Sequence, residues 1–246
     1  MSPEGLALFL AVVAVGAWLQ TVTGFALALG LLGAMTEFDL APIQVTAVVV
    51  SLLSLASSLA ALVGHHRAIQ WRRLAPIALG MLPTVVLGVW LLEWLAAATT
   101  DALQLTLGLF IILGGALMLT QPATRERPAR RRTGFLAGLL GGLFGGLFAA
   151  IAPPVVYHLY REPLTVDAAR ATLFMLTIIG VAIRTTSVVA LSTVQPLALE
   201  LVLYALPVVL AATLLGRHFT PNLSGRSQRR IAIGLLMLLG LPLLLA

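Results

Sequence analysis

Eight long apolar segments constrain the fold of this chain more than any other feature. They cover approximately residues 5–35, 41–63, 74–95, 102–120, 134–156, 168–191, 198–216 and 231–246. A helix of about twenty apolar residues crosses the hydrocarbon core of a bilayer, and most of these segments have that length. We therefore expect an all-α, polytopic integral membrane protein of the cell (inner, cytoplasmic) membrane.

The few charges lie almost entirely between these segments. Only 10% of the residues are charged, and all fifteen basic residues are arginine. Short arginine-rich stretches between apolar segments are typical of cytoplasmic loops, so the net charge of +6 does not indicate a nucleic-acid partner. The absence of cysteine excludes disulfides and thiolate sites. We expect no cofactor and no bound metal ion.

The two halves of the chain resemble each other. A shift of 126 positions places Thr46 on Thr172, and a shift of 124 places Pro83 on Pro207. Internal duplication is common among secondary transporters. The sequence thus predicts a first repeat (1–120, segments 1–4), an arginine-rich cytoplasmic linker (121–133) and a second repeat (134–246, segments 5–8).

The repeats can be parallel or inverted. If all eight segments span the membrane, the repeats are parallel and the loop arginines divide between the two sides. If segments 1 and 5 each enter and return to one face, the second half is inverted and every loop arginine lies on one side. The positive-inside rule favours the inverted arrangement.

Polar or helix-breaking residues interrupt segments 1 and 5. QTVTG occupies positions 20–24, and AAIAPP occupies positions 149–154. Non-helical backbone at membrane depth is tolerated only where protein or water satisfies it. We expect two helix breaks that face each other near the midplane and direct backbone N–H groups at an anion. The alternative is that glycine and proline merely kink two ordinary helices.

Arg184 lies inside segment 6, followed by Thr185. An arginine at this depth costs at least ~2.5 kcal/mol on insertion scales, so we expect it to face a cavity or a partner. Snorkelling to the interface is the alternative. The corresponding part of segment 2 contributes hydroxyl groups from Ser51, Ser54, Ser57 and Ser58. One arginine among hydroxyls suits a small anion better than a cation.

Two further features have competing interpretations. Glycines at positions 134, 138, 142 and 146 recur every fourth residue and predict a smooth helix face for close packing. His158 follows the second interruption and either couples transport to protons or has a structural role.

Several of these motifs occur together in one known family. QTVTGFALAL resembles a Thr-Gly-Phe-Gly-Phe-Ala-Leu stretch, with Ala26 in place of a glycine. GGLFGGLFAAIAPPVVYHLY resembles a glycine-rich run that ends in Gly-Pro-Pro, with Ala152 in place of that glycine, and RATLFM (170–175) follows. The chain thereby resembles the sulfite exporter TauE/SafE family, also called the toluene-sulfonate uptake permease family. The resemblance implies a membrane transporter, not an enzyme, for sulfite, sulfonates, sulfoacetate or similar anions.

The sequence as a whole predicts a secondary transporter that moves a small anion by alternating access. The alternatives are a non-transporting assembly or regulatory subunit and a membrane-embedded enzyme of the lipid phosphatase type. The lipid bilayer is the expected surrounding, and monomer and homodimer both stay open. The predicted substrate-binding residues are Gln20, Thr21, Thr23, Gly24, Phe25, Ser58, Ala150, Ala152, Pro153, Pro154, Arg184 and Thr185, with His158 for proton coupling.

Overall fold

The computed structural model describes residues 3–24, 26–38, 40–98, 105–110, 112, 125–191 and 195–218. All regular structure within these ranges is helical. The predicted segment 8 (231–246) and most of segment 4 (102–120) lie outside the described residues, although 105–110 are helical. In chain order, the helices that form the bundle are α1 (Pro3–Thr23), α2 (Ala26–Glu37), α3 (Ile43–Leu62), α4 (Trp71–Ala98), α5 (Arg131–Phe148), α6 (Ala152–Tyr160), α7 (Val166–Leu191) and α8 (Pro196–His218).

Five of these helices, α1, α3, α4, α7 and α8, are long and apolar enough to cross a membrane. The outer surface of α4 fits a bilayer, because Trp71, Trp90 and Trp94 are all exposed on it. At a rise of 1.5 Å per residue, Trp71 lies about 29 Å from Trp90 and about 35 Å from Trp94 along the helix axis. Tryptophan is enriched at the two interfaces of a hydrocarbon core about 30 Å thick, which matches this spacing.

Close backbone contacts define how α4 and α5 pack. A Cβ atom added to Gly138 would overlap the carbonyl oxygen of Ile77, and one added to Gly146 would overlap that of Val85. Residue numbers therefore rise together along the two helices, which run parallel. The glycines at every fourth position of α5 form the packing face predicted from the sequence.

Contacts between other helices establish two sets of opposite direction. Ser57 of α3 bonds Thr213 of α8, and Arg217 of α8 bonds the carbonyl of Ala60, so α3 and α8 are parallel. Gly216 lies beside Thr21, which places the end of α1 beside the end of α8. In contrast, α7 runs parallel to α4, since Gln70 bonds Thr172 and Met81 lies beside Gly180. Helix α7 is antiparallel to α3, since Ser51 within α3 bonds Arg184 late in α7, whereas Gln70, beyond the end of α3, bonds Thr172 early in α7. Thus α1, α3 and α8 run in one direction, and α4, α5 and α7 run in the other.

Both predicted interruptions are places where a helix ends. Gly24 adopts a φ of 87° after α1, and α2 folds back so that Leu27 packs on Gly16. Ala149 adopts a φ of 55° after α5, and α6 folds back so that Val155 packs on Gly141. Left-handed backbone at each point reverses the chain and produces a helical hairpin.

The described arginines other than Arg184 gather at one end of the helix bundle, which we call the arginine end. There α1, α3 and α8 finish, and α4, α5 and α7 begin. Helix α5 begins at Arg131, three residues ahead of the predicted apolar segment. The apolar pattern does not include this first turn, because exposed arginines occupy it. The opposite end carries Glu4, Glu37, Glu93 and Glu200.

Candidate substrate site

Polar side chains line the last turn of α1, at the first interruption. The amide of Gln20 donates to the hydroxyl of Ser58 on α3 at 3.4 Å. The hydroxyls of Thr21 and Thr23 donate to carbonyls one turn earlier in their own helix, at 2.9 and 2.7 Å. All four side chains are buried. The threonines therefore satisfy the backbone locally, and Gln20 connects α1 to α3.

The free carbonyl end of α1 is held by residues from the second half of the chain. The last four carbonyls of a helix have no partner within it. Arg170 Nη1 donates to the carbonyls of Thr21 and Val22 at 3.3 and 3.2 Å, and the hydroxyl of Tyr160 donates to that of Thr23 at 3.0 Å. Arg170 Nη2 also pairs with Asp167 at 2.8 Å. No local sequence pattern indicates these long-range partners.

Arg184 likewise donates to a carbonyl near a helix end, at the second interruption. Its side chain is 1% exposed, so it does not snorkel. Nε donates to the carbonyl of Gly146, one of the last four of α5, and Nη1 donates to the hydroxyl of Ser51, both at 3.0 Å. Nη2 is buried and has no hydrogen-bond partner among the described residues. A charged group with unused donors is thus available inside the protein.

A small cavity of about 30 Å³ lies beside Arg184. Gln44, Glu93 and Gln195 contribute polar groups to its lining. A single water needs a cavity of roughly 10–15 Å³, so this cavity has space for about two waters. A larger anion requires the surrounding helices to separate.

Buried serines connect the two interruptions. Ser51, Ser54, Ser57 and Ser58 recur at helical spacing along one region of α3 and are all buried. Ser51 contacts Arg184 and Ser58 contacts Gln20, so this serine stripe leads from one interruption to the other. The hydroxyl of Ser54 has no hydrogen-bond partner within the described ranges. The stripe gives the bundle a polar interior.

The predicted site residues form two groups at different depths. Gly24 packs beside Leu173, whereas Ile151 packs beside Gly180, which is about 10 Å further along α7. Gln20, Thr21, Thr23, Gly24 and Ser58 form the first group. Ala150, Pro153, Pro154, Arg184 and Thr185 belong to the second interruption or the turn of α7 beside it; Phe25 and the side chain of Ala152 lie outside the described residues.

His158 belongs to a separate ionic cluster at the arginine end. Its Nε2 lies 3.9 Å from a carboxylate oxygen of the buried Glu162. Arg73 and Arg125 approach the same carboxylate at 3.4 and 3.5 Å, and the N–H of Ala129 donates to it at 3.0 Å. Burial lowers the pKa of His158, while Glu162 opposes that shift. A buried Glu162 was not expected from the sequence, where it lies in a short polar break.

Comparison with known proteins agrees with this architecture. The family profile described as "Sulfite exporter TauE/SafE" matches residues 8–243. The chain belongs to the sulfite exporter TauE/SafE family. It is also 37% identical over 235 residues to a protein of Cupriavidus necator named "Probable sulfite/organosulfonate exporter TauE", covering 96% of this chain and 92% of that protein. No solved structure shows a significant match. This TauE/SafE member is therefore a multi-pass membrane protein of a transporter family.

Proposed function

We propose that this protein is a secondary transporter that exports a small sulfur-containing anion, sulfite or an organosulfonate, across the cytoplasmic membrane. Family membership and the name of the Cupriavidus necator relative support the substrate class. The observation that carries the proposal is the buried guanidinium of Arg184, whose Nη2 has no partner in the described part of the chain. The N–H groups of Nη2 can donate to the oxygens of an anion, and this hydrogen bonding carries the proposal more than net charge does, because Glu93 lines the same cavity.

The chemistry of the guanidinium suits sulfur oxyanions. Its planar donors can bond two oxygens of one anion, which an ammonium group cannot do with the same geometry. Arg184 Nε and Nη1 are fixed by Gly146 and Ser51, so the orientation of the fork is set before an anion binds. In the proposal, Ala150, Ala152, Pro153, Pro154 and Thr185 complete this part of the site. The group around Gln20 to Phe25 and Ser58 receives the anion in another state.

Inverted repeats would provide the two states needed for alternating access. Supporting this, each of three helices in the first half runs opposite to its equivalent in the second half: α1 to α5, α3 to α7, and α4 to α8. The contacts agree as well: the pair Gln20–Ser58 and the pair Gly146–Arg184 are related by the same shift of 126 positions. In the proposal, α1–α2 and α5–α6 are re-entrant hairpins, and rocking one half against the other exposes the site to each side in turn.

Reconstitution of the purified protein tests this function. Proteoliposomes loaded with radiolabelled sulfite or a radiolabelled organosulfonate should release it faster than protein-free liposomes, and an excess of unlabelled anion should compete. An imposed pH gradient should change the rate if His158 couples protons. Absence of protein-dependent flux for every sulfur oxyanion in the panel would refute the proposed function.

Cysteine labelling tests the inverted arrangement, because the chain has no native cysteine. Single cysteines at His66 and His218 should react with an impermeant thiol reagent from the cytoplasmic side. Cysteines at Glu37 and Glu200 should react from the opposite side. All four positions are exposed. Labelling of His66→Cys and His218→Cys from opposite sides would instead establish parallel repeats.

A further inference from the structure

A second cavity, much larger than the one beside Arg184, opens at the arginine end. Its volume is about 190 Å³, and α1, α7, α8 and the turn after α3 enclose it. Polar lining comes from Thr21, His65, Asp167, Arg170, Arg217 and His218. This cavity lies directly beside the end of α1 at the first interruption.

The charge of the cavity favours an anion. Two arginines and one aspartate give a net charge of +1 with both histidines neutral. Arg217 Nη1 and Nη2 donate to the carbonyls of Ala60 and Val63 at 3.0 and 2.8 Å, which holds its guanidinium at the wall. Arg170 is held in the same way by the carbonyls of Thr21 and Val22. Two arginines fixed by helix ends create a positive site that needs little reorganisation when an anion arrives.

We propose that this cavity is a second anion site, at which a small sulfur oxyanion loads before it reaches Arg184. The proposal rests on the proposed function, because it assigns the same substrate class to a different place. Arg170 and Arg184 are on the same helix, about 21 Å apart along its axis. The serine stripe on α3 connects the two regions, since Ala61 lines this cavity and Ser51 contacts Arg184.

Arg170 links occupancy of this site to the first interruption. It lines the cavity and also holds the carbonyl end of α1. An anion that engages Arg170 competes with Asp167, whose carboxylate pairs with Nη2 at 2.8 Å. The carboxylate of Asp167 is mostly exposed, so it can turn into solvent when the anion replaces it. Binding of the anion then changes the hydrogen bonds from Nη1 to the carbonyls at the end of α1, where the chain turns into α2.

Binding stoichiometry tests the second site. Radiolabelled sulfite is measured by equilibrium dialysis against purified protein in phosphatidylcholine nanodiscs, and two anions per chain are expected. Arg170→Gln should reduce this to one, whereas Asp167→Asn should tighten binding at this site about threefold to tenfold by removing the competing carboxylate. Arg132→Gln, an exposed change at the same end, is the control and should bind two. Asp167→Asn changes an exposed side chain, so it remains informative if Arg170→Gln does not fold.

The outcomes separate this proposal from the proposed function. One anion per chain, lost in Arg184→Gln and unaffected by Arg170→Gln and Asp167→Asn, would overturn the second site alone. One anion per chain that depends on Arg170 and not on Arg184, without sulfite flux in proteoliposomes, would overturn the proposed function and leave this site as an anion-binding cavity. Nanodiscs containing phosphatidylglycerol provide a further arm: a cavity that binds this lipid headgroup and no sulfite in either lipid would also overturn the second site.

Discussion

Replacing Arg184 with glutamine should abolish sulfite or organosulfonate export while the protein still reaches the membrane. Glutamine can retain a hydrogen bond to the carbonyl of Gly146 but removes the charge and the fork. Truncating one partner of a buried, hydrogen-bonded charge pair costs about 2 kcal/mol or more, which corresponds to at least ~30-fold weaker anion binding. Flux in proteoliposomes and equilibrium binding of radiolabelled sulfite measure the two effects on the same preparation.

A conservative variant and a neighbouring control make this result interpretable. Arg184→Lys keeps the charge but loses the planar pair of donors, so we expect partial binding and slow flux. Thr186 is exposed on the same helix, and its hydroxyl bonds only the carbonyl of Ala182 one turn earlier among the described contacts. Thr186→Ala should therefore export normally. Wild-type flux through Arg184→Gln, in protein that elutes as a single species, would remove Arg184 from the transport mechanism.

The features that were predictable from the sequence depend on local physics. The lengths of the apolar segments and the glycine spacing in α5 each depend on one helix and its surroundings. The second interruption shows the limit of such reasoning. The predicted interruption covers AAIAPP (149–154) without a defined turning point; the chain turns at Ala149, and Pro153 and Pro154 lie in the first turn of α6, where their missing N–H groups cost little. A left-handed alanine is rare enough that no sequence pattern indicates it.

The unexpected features are all long-range. Arg170 begins the RATLFM stretch, and nothing in its sequence neighbourhood indicates that it holds a helix end almost 150 positions earlier. Glu162 looked like a loop residue, yet it is buried against Arg73 and Arg125. Such partners depend on which helices become neighbours. No local pattern in a single sequence shows which helices become neighbours. The relative directions of the helices follow only once their contacts are known.

The largest effect on stability should come from adding a side chain to Gly138. The Cβ of an alanine there would overlap the carbonyl oxygen of Ile77 and lie 2.8 Å from its carbonyl carbon. Both atoms are backbone, so relief requires α4 and α5 to move apart along a shared glycine-rich face. Overpacking of this kind costs about 1–3 kcal/mol. We expect the melting temperature of Gly138→Ala to fall by roughly 5 °C, from 2–4 °C per kcal/mol at this chain length.

Gly30 supplies the matched control because it also lies within a helix and has no atom within 4 Å of its added Cβ. Alanine there meets no steric obstacle and gains up to ~1 kcal/mol of helix propensity, so the melting temperature of Gly30→Ala should stay constant or rise. Gly138→Leu should go further than Gly138→Ala and prevent recovery of folded protein, since a larger side chain must enter the same contact. Equal melting temperatures for Gly138→Ala and Gly30→Ala would mean that α4 and α5 do not pack through their backbones. In that case the hairpin formed by α5 and α6 would lack the rigid support that holds the carbonyl of Gly146 against Arg184.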